Sequence, residues 1–238
     1  SDTVQQMKTL IKSKYKATDV GEANQFLGIT LTRKIPDQTL RMDQTAKVTD
    51  YVTQHGIEDS KIQDLPLPVP LTAKHDEEKV MHSQYQQISG QLQYLAGTTR
   101  PDICYAASVL ARFNNHPTKE HWKAMRNTLK YLNGTKNLQL TYQGSSQNVP
   151  NCIQITVYSD ADYAGESDTR RSRTGYVIMT MGALVAWQSK LQPTISLSTT
   201  EAEYQAATAA VKEALWMKNF IDQLLNPEKV EIIVQVDN

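Results

Sequence analysis

IQITVYSDAD (residues 153–162) carries Ile153, Ile155 and Val157 at every second position and then runs into two carboxylates, Asp160 and Asp162. A period of two marks a strand with one buried face. Reading forward, Gly175 to Thr180 and Leu184 to Gln188 predict two more strands. Thr200 to Leu225 predicts a long helix and Val230 to Val236 a final strand, with Asn238 the last residue. The order strand, strand, strand, helix, strand points to an α+β unit in which one long helix packs on a sheet.

Reading backward, GSSQNVPN (144–151) is a polar linker, and a short strand, Leu138 to Tyr142, stands before it. Three helical patterns precede that strand. In 83–96 the stripe is Tyr85, Ile88, Leu92 and Leu95. Pro101 fits the first turn of a second helix, with Ile103, Ala107, Leu110 and Phe113 inward. Thr118 caps a third, where Trp122, Met125, Leu129 and Leu132 face inward and Gly134 ends the run. The segment 64–80, DLPLPVPLTAKHDEEKV, alternates Pro66, Pro68 and Pro70, so an extended connection between subdomains is expected. Ahead of it, Gln25 to Lys34 reads as one strand, which returns through a turn at 35–38. Asp43 is placed to cap a helix through Val48, Tyr51 and Val52, which Gly56 and Ile57 end in a Schellman stop. Val4, Met7, Ile11 and Tyr15 give the N-terminal segment helical spacing.

The formal net charge is zero over 238 residues, so any nucleic-acid surface has to be local. Cys104 and Cys152 sit in no metal-type spacing and read as reduced, partly buried thiols of an intracellular protein. No apolar run reaches the ~18 residues of a membrane span, and the Lys-rich N-terminus has no signal-peptide core, so a cytoplasmic or nuclear, non-secreted chain is expected.

Asp160 follows the first strand of the C-terminal unit, Glu203 lies in the first turns of its helix, and Asp237 ends its last strand. Carboxylates at strand ends and in an adjoining helix can converge, and oxygen ligands without His or Cys suit Mg²⁺ or Mn²⁺. Two ions about 4 Å apart support in-line attack of water on a phosphodiester. The bland reading is that strand-end aspartates form turns. Glu201 illustrates it, because Ser198-x-x-Glu201 is a capping box that gives this carboxylate a structural task. Glu203 is therefore the ligand candidate, and Asp162 ranks below Asp160, as a residue that supports a ligand or forms a turn.

These motifs resemble a family. YSDADYAG (158–165), RRSRTGYV (170–177), WQSKLQP (187–193), LSTTEAEYQAATAAVKEALWM (197–217) and VDN (236–238) are similar, in order, to the ribonuclease H domain of copia-type (Ty1/copia, Pseudoviridae) LTR retrotransposon Pol polyproteins. DVGEANQFLGITLTR (19–33) resembles the segment after that family's polymerase site. SQYQQISGQLQYLAGTTRPDICYAASVLARF (83–113) and HPTKEHWKAMRNTLKYLNGT (116–135) resemble its thumb and connection. The resemblance implies an α+β chain: a helical thumb/connection remnant of a reverse transcriptase, then a ribonuclease H-like mixed sheet with a long packed helix, C-terminally truncated. The implied division is 1–70 (palm end and thumb), 71–143 (helical connection) and 151–238 (incomplete ribonuclease H-like domain). It also implies metal-dependent cleavage of the RNA strand of RNA–DNA hybrids, with Asp160, Glu203 and Asp237 as catalytic residues holding two Mg²⁺ or Mn²⁺ ions. The expected setting is a cytoplasmic virus-like particle or the nucleus.

Two departures from the family are visible. The Tyr-x-Asp-Asp turn of the polymerase is absent, so no DNA synthesis is expected of this chain alone. The family's tail beyond the fourth strand, with a fourth acid, is absent too, so the last strand is expected near a sheet centre with part of its cover missing. Alternatives stay open: a catalytically inactive domesticated remnant, or a scaffold subunit acting as an interaction or nucleic-acid-binding module. Its partner would be a full-length reverse transcriptase chain or a second copy docked on the exposed sheet. For nucleic acid, Lys119, Lys123, Arg126 and Lys130 form a basic stripe at helical spacing, and Arg170, Arg171 and Arg173 lie between the first two strands of the C-terminal unit. An ordinary solvated face is the plain alternative for both sets. Trp187 is read as core.

Overall fold

The computed structural model describes residues 2–68, 71–72, 82–144, 152–225 and 227–236. Its content is mixed α and β, with two four-stranded sheets and a group of packed helices. No helix among the described residues is long and apolar enough to cross a membrane.

Helix α1 (Asp2–Lys14) leaves Val4, Met7 and Ile11 exposed. The strand expected over 25–34 is broken in two. Leu27 and Gly28 both take positive φ, 48° and 75°, and turn the chain between β1 (Gln25–Phe26) and antiparallel β2 (Ile29–Lys34). Two successive positive φ angles suit a tight hairpin, and the Tyr94 hydroxyl donates to the Leu27 carbonyl to hold it. An apolar leucine at this position gave no sequence signal for a turn. Strand β3 (Thr39–Asp43) returns beside β2.

Helix α2 (Thr45–Gln54) starts where the Asp43 carboxylate accepts from the Thr45 N–H at 3.1 Å. It ends as expected: Gly56 has φ of 59°, the Ile57 N–H reaches the Val52 carbonyl and the Gly56 N–H reaches the Thr53 carbonyl. Helices α3 (His82–Ala96), α4 (Cys104–Ala111, entered by a 3₁₀ turn at Pro101–Ile103) and α5 (Lys119–Gly134) complete the group. The predicted stripes meet in one core that holds Tyr85, Ile88, Leu92, Leu95, Leu110, Met125, Leu129 and Leu132 together with Val48, Val52 and Ile57. Thr118 caps α5, sharing hydrogen bonds reciprocally with His121. The prolyl connection touches this core as well, since the Thr128 hydroxyl donates to the Pro66 carbonyl at 2.8 Å. Strand β4 (Leu140–Gln143) then pairs antiparallel with β3, Met42 opposite Leu140, in the order β1-β2-β3-β4. The remainder of the 144–151 linker beyond Gly144 lies outside the described residues.

The C-terminal elements follow the predicted order: β5 (Cys152–Asp162), β6 (Arg173–Thr180), β7 (Ala183–Leu191), α6 (Thr199–Leu225) and β8 (Lys229–Val236). The sheet runs β7-β6-β5-β8, antiparallel except where β8 lies parallel to β5. Ile153, Ile155 and Val157 face α6, whose buried stripe is Ala202, Ala206, Ala210, Ala214, Met217 and Ile221. Small side chains at i, i+4 and i+8 let the helix axis lie close to the strands. One expectation is corrected. Among the described strands β8 is at the edge, not the centre, because it hydrogen-bonds to β5 alone. Cys152 is exposed rather than partly buried, whereas Cys104 is half-buried and burial raises its thiol pKa.

Candidate active site

Strand alternation decides where Asp160 points. Ser159 is buried on the α6 side, so Asp160, exposed, opens on the opposite face with Tyr158. Its neighbour across the ladder is Gly175, which adds no side chain to that face. The resulting hollow, of about 350 Å³, is lined by Tyr105, Tyr158, Tyr176, Trp187 and Asp160. Asp162 turns instead onto the loop that follows. Its carboxylate lies so close to Gly165 that a Cβ there would meet it at 1.9 Å, so the loop needs glycine at that position.

Glu203 sits in the second turn of α6, half-buried beside Ala202 and Ala206. The cap reading of Glu201 holds in the structure: the Glu201 N–H donates to Ser198 Oγ at 3.1 Å, and the Glu201 carboxylate accepts the Leu197 N–H at 2.7 Å. Asp237 lies outside the described residues. The last described ladder pair on that side is Ser159 opposite Val236, immediately before Asp160. Among the described residues no three His, Cys, Asp or Glu side chains are gathered closely enough to hold an ion. Asp160 and Glu203 supply hard oxygen donors and no nitrogen or sulfur, a donor set that fits Mg²⁺ or Mn²⁺ in kind.

What ties strand and helix together is a residue that the sequence reading passed over. Gln192, 2% exposed, donates through Nε2 to the Ala202 carbonyl at 2.9 Å and to Thr174 Oγ1 at 3.2 Å. Its Oε1 accepts from Ser196 Oγ at 2.9 Å, and its backbone N–H reaches the Ser172 carbonyl at 2.8 Å. Thr174 adjoins Gly175, the ladder partner of Asp160, and Ala202 adjoins Glu203. The available signal was a polar residue in WQSKLQP just after an apolar strand.

The basic residues divide. Lys119 and Lys123 are exposed and Lys130 half-buried, while Arg126 donates to the His55 carbonyl at 3.3 Å and so supports the end of α2. Arg170 is exposed, with φ of 56°, and the Arg171 guanidinium donates to the Pro193 carbonyl. Arg173 is 7% exposed, donates to Ser108 Oγ at 2.6 Å and lies 5.3 Å from the Tyr105 ring centroid. Burial lowers its pKa, opposed by Tyr105, Glu166 and Asp162 nearby. Both of these contact partners, Ser108 and Tyr105, belong to α4.

Other polar contacts also fasten the sheet to the helices. Trp187, half-buried, donates from Nε1 to the Ala96 carbonyl at 2.7 Å. Arg112 pairs with the buried Glu166 and, at 3.6 Å, with Asp168, both in the loop between β5 and β6.

With this geometry in view, known proteins are informative. The chain is 34% identical, over 243 aligned positions, to the retrovirus-related Pol polyprotein from transposon TNT 1-94 of Nicotiana tabacum, a match covering 99% of this chain and 18% of that protein. It is 34% identical to a putative transposon Ty5-1 protein of Saccharomyces cerevisiae, covering 84% of this chain and 64% of that one. An uncharacterized mitochondrial protein of Arabidopsis thaliana is 31% identical, with 87% of this chain and 83% of that protein covered. The chain thus spans under a fifth of the tobacco polyprotein. No family model matches the chain. No solved structure matches it either.

Proposed function

This chain belongs to the family of copia-type retrotransposon Pol polyproteins, and on that premise we propose that residues 151–238 are a ribonuclease H-like unit that cleaves the RNA strand of RNA–DNA hybrids. The observation that carries the proposal is the mixed sheet β7-β6-β5-β8 under α6, with Asp160 near the end of β5 and Glu203 in the second turn of α6. Asp160, Glu203 and Asp237 would hold two Mg²⁺ or Mn²⁺ ions. Bound there, the metal supplies Lewis acidity at the phosphodiester and an activated water. The protein's own part is to hold the carboxylates on its strand and helix. Lys119, Lys123 and Arg170 are exposed and Lys130 is half-buried, and these are proposed to meet the phosphates. The test is cleavage of a hybrid labelled on its RNA strand, with Mg²⁺ or Mn²⁺, by the chain and by Asp160→Asn. Cutting that Asp160→Asn lowers by at least about a hundredfold supports the reading, since such carboxylates act on the reacting centre. Absence of cutting by folded wild-type chain overturns it.

A second reading, as an interaction module, has its own observation. Ile233, Val234 and Val236 on the edge strand β8 and Trp216, Phe220 and Leu224 on α6 are exposed. Trp216 and Phe220 stack with centroids 5.7 Å apart. An open edge and apolar side chains favour association with a second copy or a longer reverse transcriptase chain. Sedimentation of the chain at rising concentration tests it: a purely monomeric species counts against self-association.

A further inference from the structure

The hydrophobic core of the helical group and the core between α6 and its sheet share no residue among those described. Polar contacts cross from one to the other, and α4 carries most of them because it has two working faces. Ala107, Val109 and Leu110 enter the helical core. Tyr105, Ser108 and Arg112, spaced i, i+3 and i+7, meet the C-terminal unit instead. Ser108 Oγ accepts from Arg173 at 2.6 Å, and the Tyr105 ring lies 5.3 Å from the same guanidinium. Arg112 holds Glu166, whose side chain is 2% exposed, and reaches Asp168 at 3.6 Å. At the end of α3, the Ala96 carbonyl accepts the Trp187 indole N–H at 2.7 Å. Elsewhere the two sheets leave a cleft of about 1400 Å³ between them. Leu31, Leu40 and Tyr142 line one side of it, and Thr156, Met179 and Val185 the other.

Such a joint parts differently from a core. Pulling a core open bares large apolar side chains to water. Pulling this joint open returns Arg112, Glu166 and Arg173 to solvent, where charged groups are well hydrated. Relative motion is the expected behaviour of units joined by a polar interface.

We propose that the C-terminal unit is a reversibly docked body, latched to α4 by the Arg112–Glu166 and Arg173–Ser108 contacts, and that it swings off the helical group with both cores intact. The motion uncovers the sheet face that looks away from α6, where Pro101 and Tyr105 border the hollow beside Asp160. Docking does not depend on what Asp160 binds, so the inference stands apart from the proposed cleavage.

Hydrogen exchange of the whole chain, followed by NMR, tests it. The three tryptophans give three indole signals, and Trp187→Phe identifies the one bonded across the joint. Leu92 in α3 and Val157 in β5 supply amides from the two cores. In wild type the Trp187 indole should be at least about tenfold less protected than either amide, as in an opening smaller than unfolding. Leu129→Ala weakens the helical core and should lower protection at Leu92 about a hundredfold while leaving the Trp187 indole within about twofold. Ile57→Val is the milder stand-in if that variant does not fold, with about a fivefold effect at Leu92. Arg112→Ala should lower protection of the indole about a hundredfold and Ser108→Ala about tenfold, with both core amides still protected. Ser108→Ala decides where Arg112→Ala fails to fold. An indole that matches the core amides in wild type, and falls with them when the helical core is weakened, overturns the inference, because the sheet then leaves α4 only by unfolding. Indole protection within about twofold of wild type in the folded latch variants also overturns it, since docking would then reside elsewhere.

Discussion

The helical group and the C-terminal sheet are built by opposite means. The helical core is made of large apolar side chains, Tyr85, Leu92, Leu95, Met125 and Leu129 among them, all wholly buried. Each such leucine contributes roughly 1.5–3 kcal/mol by leaving water. The sheet has comparable packing on one face only, where alanines of α6 meet Ile155 and Val157. Its other face leans on α4 and the chain beside it through directed polar contacts: Arg112 to Glu166, Arg173 to Ser108, and Trp187 to the Ala96 carbonyl. The lesson is that helix registry here comes from side-chain volume, whereas docking of the sheet comes from hydrogen bonds and charge at named positions.

Mutation can break that contrast. Leu92→Ala should have the largest effect, a loss of about 2–5 kcal/mol in denaturant melts, from lost transfer energy plus a cavity. A smaller effect than on the sheet side would break the comparison. Arg112→Ala comes next. It strands the Glu166 carboxylate, whose side chain is 2% exposed, and should destabilise by about 3 kcal/mol. Glu166→Gln in the same chain should restore part of that loss, which a double-mutant cycle reads directly. Ala210→Leu overfills the close contact between α6 and the strands and should destabilise by about 1–3 kcal/mol. Trp187→Phe, the smallest change, removes one buried donor bond and leaves the Ala96 carbonyl unmet, for about 1 kcal/mol. Its effect should fall on the docking of the sheet, visible as faster hydrogen exchange in β7 before any change in α3.

Much of this was legible because local pattern and tertiary need agree. Three helical stripes, the period-two strand at Ile153 and the capping roles of Thr118 and Glu201 all follow from spacing that the core then uses. What was illegible depends on distant residues. The turn at Leu27–Gly28 is held by Tyr94. The pairing of β4 with β3 joins residues a hundred positions apart. Arg173 looks like any basic turn residue until the register places it against Tyr105 and Ser108. At the site, Asp160 and Glu203 stand where strand and helix ends were expected, but the amide that links their elements, Gln192, carries no charge and no periodic mark.

Two carboxylates on one helix give the most direct test. Glu201 accepts the Leu197 N–H as a cap, and Glu203, two residues on, is the proposed metal ligand. Hybrid cleavage and thermal stability should be measured for Glu203→Gln and Glu201→Ala side by side. The account predicts that Glu203→Gln abolishes cutting with little change in melting, while Glu201→Ala loses about 1 kcal/mol of stability and keeps its activity. Cleavage that survives Glu203→Gln, or that vanishes in folded Glu201→Ala, would contradict it.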